Sequence, residues 1–229
     1  MSKSAKLLII IFAAAILNFA CGVSTAEKYS NKNANNPLVK PKIVSDKRKI
    51  IAFGDSLTAG FGLTEKDSYP YLLQKKLESE GYDYEVVNAG VSAETSIGGL
   101  ERIDWVLEQE RVEILILELG ANDLLRGLPV EKMKENLSTI IKKAKAKNVK
   151  VLLCGMLAPN TMGEDYQRDY VRAFPDLATE HNVAFLPFIL ENIALKKELN
   201  QADGIHPNAE GEKIMTENVY KYLKPLLKR

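Results

Sequence analysis

Two periodicities alternate along the chain from Lys49 onward. Short apolar runs recur at Ile50–Phe53, Glu85–Asn88, Ile114–Glu118, Val149–Cys154 and Val183–Leu186. Runs such as "ILILEL" are continuous rather than alternating, which fits strands buried on both faces. Between them lie helical patterns over Tyr69–Glu80, Ile97–Glu110, Val130–Lys147 and Tyr166–His181. A last helix is predicted over Pro207–Leu223, where Met215, Val219 and Leu223 recur at fourth-residue spacing. Strands alternating with helices predict βαβ units and a parallel sheet covered on both sides. The expected architecture is α/β: a three-layer α/β/α sandwich, with no internal repeat.

The pattern changes before Lys49. Lys3 and Lys6 precede an apolar run, Leu7–Ala20, too short to span a bilayer comfortably but suited to a secretory leader. Two processing routes fit. Ser24-Thr25-Ala26 offers small residues for cleavage before Glu27, which makes residues 1–26 a signal peptide. Alternatively, Ala20-Cys21-Gly22 resembles a lipoprotein cleavage site with Cys21 as the lipid-bearing first residue, although Asn18 stands where an aliphatic residue is usual. The polar stretch at 27–47 has the composition of a flexible tether, leaving 48–229 as the folded domain. The expected location is therefore the periplasm, or a membrane reached through that lipid anchor. Either route removes or modifies Cys21, so Cys154 is left without a partner for an intramolecular disulfide. It reads as a small buried hydrophobe.

Composition narrows the function classes. The chain has 229 residues with a formal charge of +1, enough for one domain and without the concentrated basic face that nucleic acid demands. The dense basic run Lys142–Lys150 reads as a solvated helix face.

In open parallel sheets, sites form at the carboxyl ends of strands. The residues there are Gly54-Asp55-Ser56, Asn88-Ala89-Gly90 and Gly120-Ala121-Asn122-Asp123. A serine becomes a nucleophile only when an oriented base takes its proton. The chain has two histidines. His181, at the end of a predicted helix, suits a structural role on the last carbonyls. His206 follows a polar loop, with Asp203 three residues earlier across Gly204 and with Pro207 suited to a first helical turn. Asp203 can then fix the imidazole tautomer, although Asp-x-x-His also describes an ordinary helix-start loop. Two histidines so far apart, with no cysteine or carboxylate cluster, do not make a metal ligand set. Acyl transfer also needs donors for an oxyanion, and the candidates are Ser56 N–H, Gly90 N–H and the Asn122 amide. Gly90 would admit substrate to the backbone. Taken singly, Gly90 is equally a turn glycine and Asn122 half of an Asn-Asp turn.

The stretches "FGDSLTAGFGL", "NAGVSAETS", "LGAND" and "DGIHPNAEG" together resemble the four blocks of the GDSL-type, or SGNH, hydrolase superfamily. "MLAPNTMGEDY" and "FLPFILENIA" resemble its arylesterase and thioesterase/lysophospholipase branch. The resemblance implies a flavodoxin-like fold with five parallel strands and a catalytic triad of Ser56, His206 and Asp203. It also implies an oxyanion hole from Ser56, Gly90 and Asn122, and no cofactor. Ser56 would sit in a turn unlike the Gly-x-Ser-x-Gly elbow. Ala121 stands where many members carry glycine. Asp55 is expected to brace the turn. The loop Ala158–Tyr166 is expected to shape the acyl side through Met162 and Tyr166, with Gly155 and Gly163 giving it mobility. The implied activity is hydrolysis of small-molecule or lipid esters, extending to thioesters. Rival readings are a carbohydrate O-deacetylase and a non-catalytic surface lipoprotein.

Overall fold

The computed structural model describes residues 46–229. The leader, Cys21 and the tether up to residue 45 lie outside the described residues. Strands β1 (Arg48–Gly54), β2 (Tyr84–Gly90), β3 (Val112–Glu118), β4 (Lys150–Cys154) and β5 (Ala184–Leu186) form one sheet. Its order is β2-β1-β3-β4-β5, and every pairing is parallel. The helices are α1 (Ser56–Ala59), α2 (Tyr69–Ser79), α3 (Ser96–Leu107), α4 (Ala121–Leu125), α5 (Val130–Ala146), α6 (Glu164–His181) and α7 (Ala209–Leu223). Helices α2 and α7 pack on each other, and α5 packs on both α3 and α6. The result is the expected three-layer sandwich.

Burial follows the apolar runs. Ile50 to Phe53 of β1 and Ile114 to Leu117 of β3 are fully buried, as strands enclosed by helices on both faces must be. β2 is an edge strand and carries partly exposed residues. Two of its backbone groups are met by one side chain: the Gln74 amide donates to Tyr84 O at 3.1 Å and accepts from Val86 N at 2.6 Å. That blunts an edge which could otherwise template another strand.

The differences from the predicted elements have local causes. α1 and α4 were not anticipated, because elements of four and five residues are too short to display a period. α3 ends at Leu107 rather than Glu110. α7 starts at Ala209, not Pro207, because Asn208 caps it, its side chain accepting from Glu210 N and Gly211 N. Pro207 lies outside the helix, bridged to Asn200. α6 begins two residues early, at Glu164, and continues through Pro175.

Glu212 joins α7 to α2. It is 1% exposed, and its Oε2 accepts from Tyr69 N at 2.7 Å, at the start of α2. Burial pushes its carboxyl up to about 8, partly opposed by that hydrogen bond. The folded state therefore holds a proton that the unfolded chain releases near 4.5, and the associated stability is lost as pH rises from about 4.5 to about 8. Glu212→Gln should remove this loss. In thermal melts from about pH 5 to about pH 9, the variant's Tm relative to the parent should climb with pH, and a pH-independent difference would contradict the assignment.

Candidate active site

The turn after β1 is built around close approach. A Cβ on Gly54 would lie 2.2 Å from Thr58 Oγ1 and 2.4 Å from Glu118 Oε2, so only glycine fits. Asp55 then caps α1, its Oδ1 accepting from Leu57 N at 3.0 Å. Gly60 ends the helix in the left-handed region at φ 73°. Ser56 is the first residue of α1, so its N–H belongs to the first-turn donors that a helix cannot satisfy internally.

His206 reaches this turn from the loop before α7. Its Nε2 lies 2.9 Å from Ser56 Oγ, and its Nδ1 lies 2.7 Å from Asp203 Oδ2. The other carboxylate oxygen of Asp203 accepts from Ile205 N at 3.0 Å and His206 N at 3.1 Å. The hydrogen bond with His206, then those two N–H groups, hold Asp203 down at about 2. An ionised carboxylate only accepts, so Nδ1 carries the proton and Nε2 is left to accept from the serine hydroxyl. Gly204 makes the loop possible with φ +75°. Gln201 fastens the loop by donating twice through Nε2, to Phe61 O at 2.7 Å and Pro207 O at 2.9 Å. The Phe61 ring lies 4.8 Å from the imidazole, centroid to centroid.

Asn122 and Gly90 border the same turn. Asn122 Nδ2 donates to Asp55 Oδ2 at 2.9 Å, which aims the amide and leaves its second hydrogen for another acceptor. Gly90 pairs in register with Gly54. Its N–H donates to Asn88 Oδ1 at 2.9 Å. The reason for a glycine differs from the expected one: a Cβ would strike the α1 backbone, 2.2 Å from Ala59 N and 2.7 Å from Thr58 C. The missing side chain lets β2 pack against α1, whatever it also permits to substrate.

Sequence reading missed the layer beneath. Glu118 ends β3 and is 1% exposed. Its Oε2 accepts from Asp55 N at 3.2 Å and Thr58 Oγ1 at 2.8 Å, and its Oε1 has no hydrogen-bond partner among the described residues. Burial, with Asp55 nearby, pushes this carboxyl well above the usual range. Burial also raises Asp55, to about 6. The only sequence signal was a lone glutamate inside "ILILEL". Ser96 and Asp123 were missed too: Asp123 accepts from Ser96 N at 2.8 Å and Ser96 Oγ at 2.6 Å, anchoring the start of α3 to α4.

Other expectations meet the structure unevenly. His181 is structural, but its partner is Ser138 Oγ of α5, at 2.8 Å from Nε2, rather than the last helix carbonyls. Cys154 is buried and free, with burial pushing its thiol well up. At Gly155 a Cβ would lie 2.3 Å from Pro187 O, so close packing accounts for that glycine. Gly163, at φ +94° with open space around it, does need glycine. Met162 and Tyr166 both abut the segment after α4: the Tyr166 hydroxyl donates to Leu128 O at 2.8 Å, and a Cβ on Gly127 would lie 3.2 Å from Met162 Cε.

Compared with known proteins, residues 52–214 match the GDSL-like Lipase/Acylhydrolase family. The chain belongs to that family. It is 40% identical over 178 residues to the esterase TesA of Pseudomonas aeruginosa, spanning 78% of this chain and 89% of that protein. It is 35% identical over 178 residues to the thioesterase 1/protease 1/lysophospholipase L1 of Escherichia coli K12, spanning 78% of this chain and 84% of that one. Among solved structures, the psychrotrophic esterase EstA from Pseudoalteromonas, inhibited by monoethylphosphonate, superposes with a TM-score of 0.75. The two are 35% identical, and the match covers 78% of this chain and 98% of that one. The protein is thus a GDSL-type serine hydrolase acting on small-molecule esters.

A carboxyl and an amide are nearly isosteric, and either offers an acceptor oxygen to Asp55 N–H and Thr58. Glu118→Gln should therefore keep both bonds to Oε2 and leave the melting temperature within a few degrees of the parent. Glu118→Ala, which leaves Asp55 N–H and Thr58 without an acceptor around a cavity, should cost about 3 kcal/mol in denaturant unfolding.

Proposed function

We propose that Ser56 is the nucleophile, His206 the general base and acid, and Asp203 the group that orients and stabilises the imidazolium. The observation that carries this is the unbroken chain of hydrogen bonds from Asp203 through His206 to Ser56, 2.7 Å and then 2.9 Å. His206 Nε2 takes the hydroxyl proton as Ser56 Oγ adds to the ester carbonyl. The same proton then passes to the departing alcohol, leaving an acyl-enzyme. Water, deprotonated by His206, adds to the acyl carbon, and the tetrahedral intermediate collapses to release the acid and restore the serine.

The developing oxyanion is held by Ser56 N–H, Gly90 N–H and the free amide hydrogen of Asn122. Gly90 N–H becomes available when the exposed Asn88 side chain rotates away from it. The reaction needs no cofactor.

The substrates we infer are carboxylic esters with an apolar acyl or aryl part, including lysophospholipids. Exposed apolar residues leave the carboxyl edge of the sheet in successive connections: Phe61 after β1, Val91 after β2, Leu125 in α4 after β3, and Met162 after β4. Met162 and Tyr166 flank the acyl side. Thioesters are a second reading, supported by the thioesterase and lysophospholipase named together in the Escherichia coli relative. We further infer export, through the leader at 1–26 or through a lipid on Cys21, on the strength of the N-terminal sequence alone. No helix among the described residues is long and apolar enough to cross a membrane.

Fluorophosphonate labelling followed by peptide mapping tests the assignment. One adduct on Ser56 is expected, and labelling elsewhere or none would overturn it. Ser56→Ala should lower kcat by about 10⁴-fold or more, and Asn122→Ala by about 10²–10³-fold. p-Nitrophenyl esters of rising chain length, assayed beside lysophosphatidylcholine and palmitoyl-CoA, separate the substrate readings.

A further inference from the structure

Arg102 of α3 belongs to no part of the mechanism above, yet it touches both strand ends that border the site. Its Nε donates to Glu94 Oε1 at 2.6 Å and its Nη2 to Glu94 Oε2, a two-pronged pairing in which Glu94 is 7% exposed and Arg102 20%. Nη2 also donates to Ala89 O at 2.8 Å and, more weakly, to Gly54 O at 3.4 Å. The guanidinium lies 3.9 Å from the centroid of the Phe53 ring, which fixes its plane.

The two carbonyls are those of peptide units at the chemistry. Ala89 O and Gly90 N–H belong to one planar trans peptide, so holding the oxygen sets the direction of the N–H on the opposite side. Gly54 O shares a peptide with Asp55 N–H, which Glu118 holds from beneath. A cation at a carbonyl also polarises the whole amide, making its N–H a stronger donor in a water-poor site.

We propose that Arg102, set by Glu94, is a positioning residue for the Gly90 oxyanion donor. Resting on the oxyanion role assigned to Gly90 above, this adds a group that acts through the 89–90 peptide without touching substrate. Lysine cannot replace it. An ammonium has neither the fork that grips both Glu94 oxygens and a carbonyl at once nor the flat face that lies on Phe53.

A merely structural fastener of β1, β2 and α3 would also weaken the enzyme when removed, so the test must read the transition state. Arg102→Lys, Arg102→Ala and Glu94→Gln are compared with the parent for kcat, KM, inhibition by an alkylboronic acid, and stoichiometry of fluorophosphonate labelling. A boronic acid forms a tetrahedral Ser56 adduct with an oxygen in the oxyanion position, whereas KM for a short p-nitrophenyl ester reflects mainly ground-state contacts. The expected result is a fall in kcat of about 10- to 100-fold, below the loss of a whole donor. KM should stay within about threefold, and boronate affinity should fall by the same factor as kcat. Added guanidinium should restore part of the activity of Arg102→Ala. Should Arg102→Ala fail to fold, Arg102→Lys and Glu94→Gln carry the measurement. Unchanged kcat, or a lowered kcat with parental boronate affinity, overturns the proposal. Absence of a Ser56 adduct in the parent enzyme instead overturns the nucleophile assignment, so the two failures are distinct.

Discussion

A single buried carboxyl, Asp55, makes the Ser56 turn and the Asn122 amide one mechanical unit. One oxygen accepts from Leu57 N and so starts the helix that begins with Ser56. The other accepts from Asn122 Nδ2, after β3. Its own backbone N–H is taken by Glu118. A carboxyl 1% exposed would be costly without partners, so each of these bonds is needed to keep it in place. The consequence is that Ser56 and Asn122 cannot drift apart independently.

Sheet topology makes that unit possible. Because β1 lies between β2 and β3, the ends of all three strands open onto one rim, as open α/β sheets require of their sites. Glycines at the paired positions Gly54 and Gly90 remove the side chains that would keep α1 off the sheet. The histidine loop comes from the far end of the chain and is drawn in by Gln201, which holds the backbone on both sides of the gap. Ser56, His206 and Asp203 are thus aligned by backbone contacts as well as by their own bonds.

Two different kinds of support surround the Ser56 turn. Beneath lies a buried glutamate, Glu118, whose carboxyl is pushed well up by burial and which serves the fold through shape and hydrogen bonding. To the side lies an ion pair, Glu94–Arg102, whose charges offset each other and leave donor hydrogens for two carbonyls. The presence of a cation explains the difference. No cation stands beside the Glu118 carboxyl among its hydrogen-bond partners, whereas Glu94 faces a guanidinium fork.

The five strands, the long helices, and Ser56, Asp203 and His206 were legible in the chain because each leaves a local trace. An apolar run, a helical period, or Asp-x-x-His within one loop can be read without knowing what lies across the fold. The start of α7 was displaced by two residues, from Pro207 to Ala209, since Pro207 suits a first helical turn while Asn208 is the residue that caps the helix. Glu118, Arg102, the partner of His181, and the reason for Gly90 were not legible. Each is defined by an atom far away in sequence, such as Asp55 N for Glu118 or Ala89 O for Arg102, and such a contact has no period or spacing. The amino-acid sequence by itself determined which elements form and which residues can do acyl chemistry, because those follow from patterning and residue type. Tertiary structure alone decided how those residues are aimed, because aim is set by buried carboxyls and clamped peptides whose partners meet only once the sheet has closed.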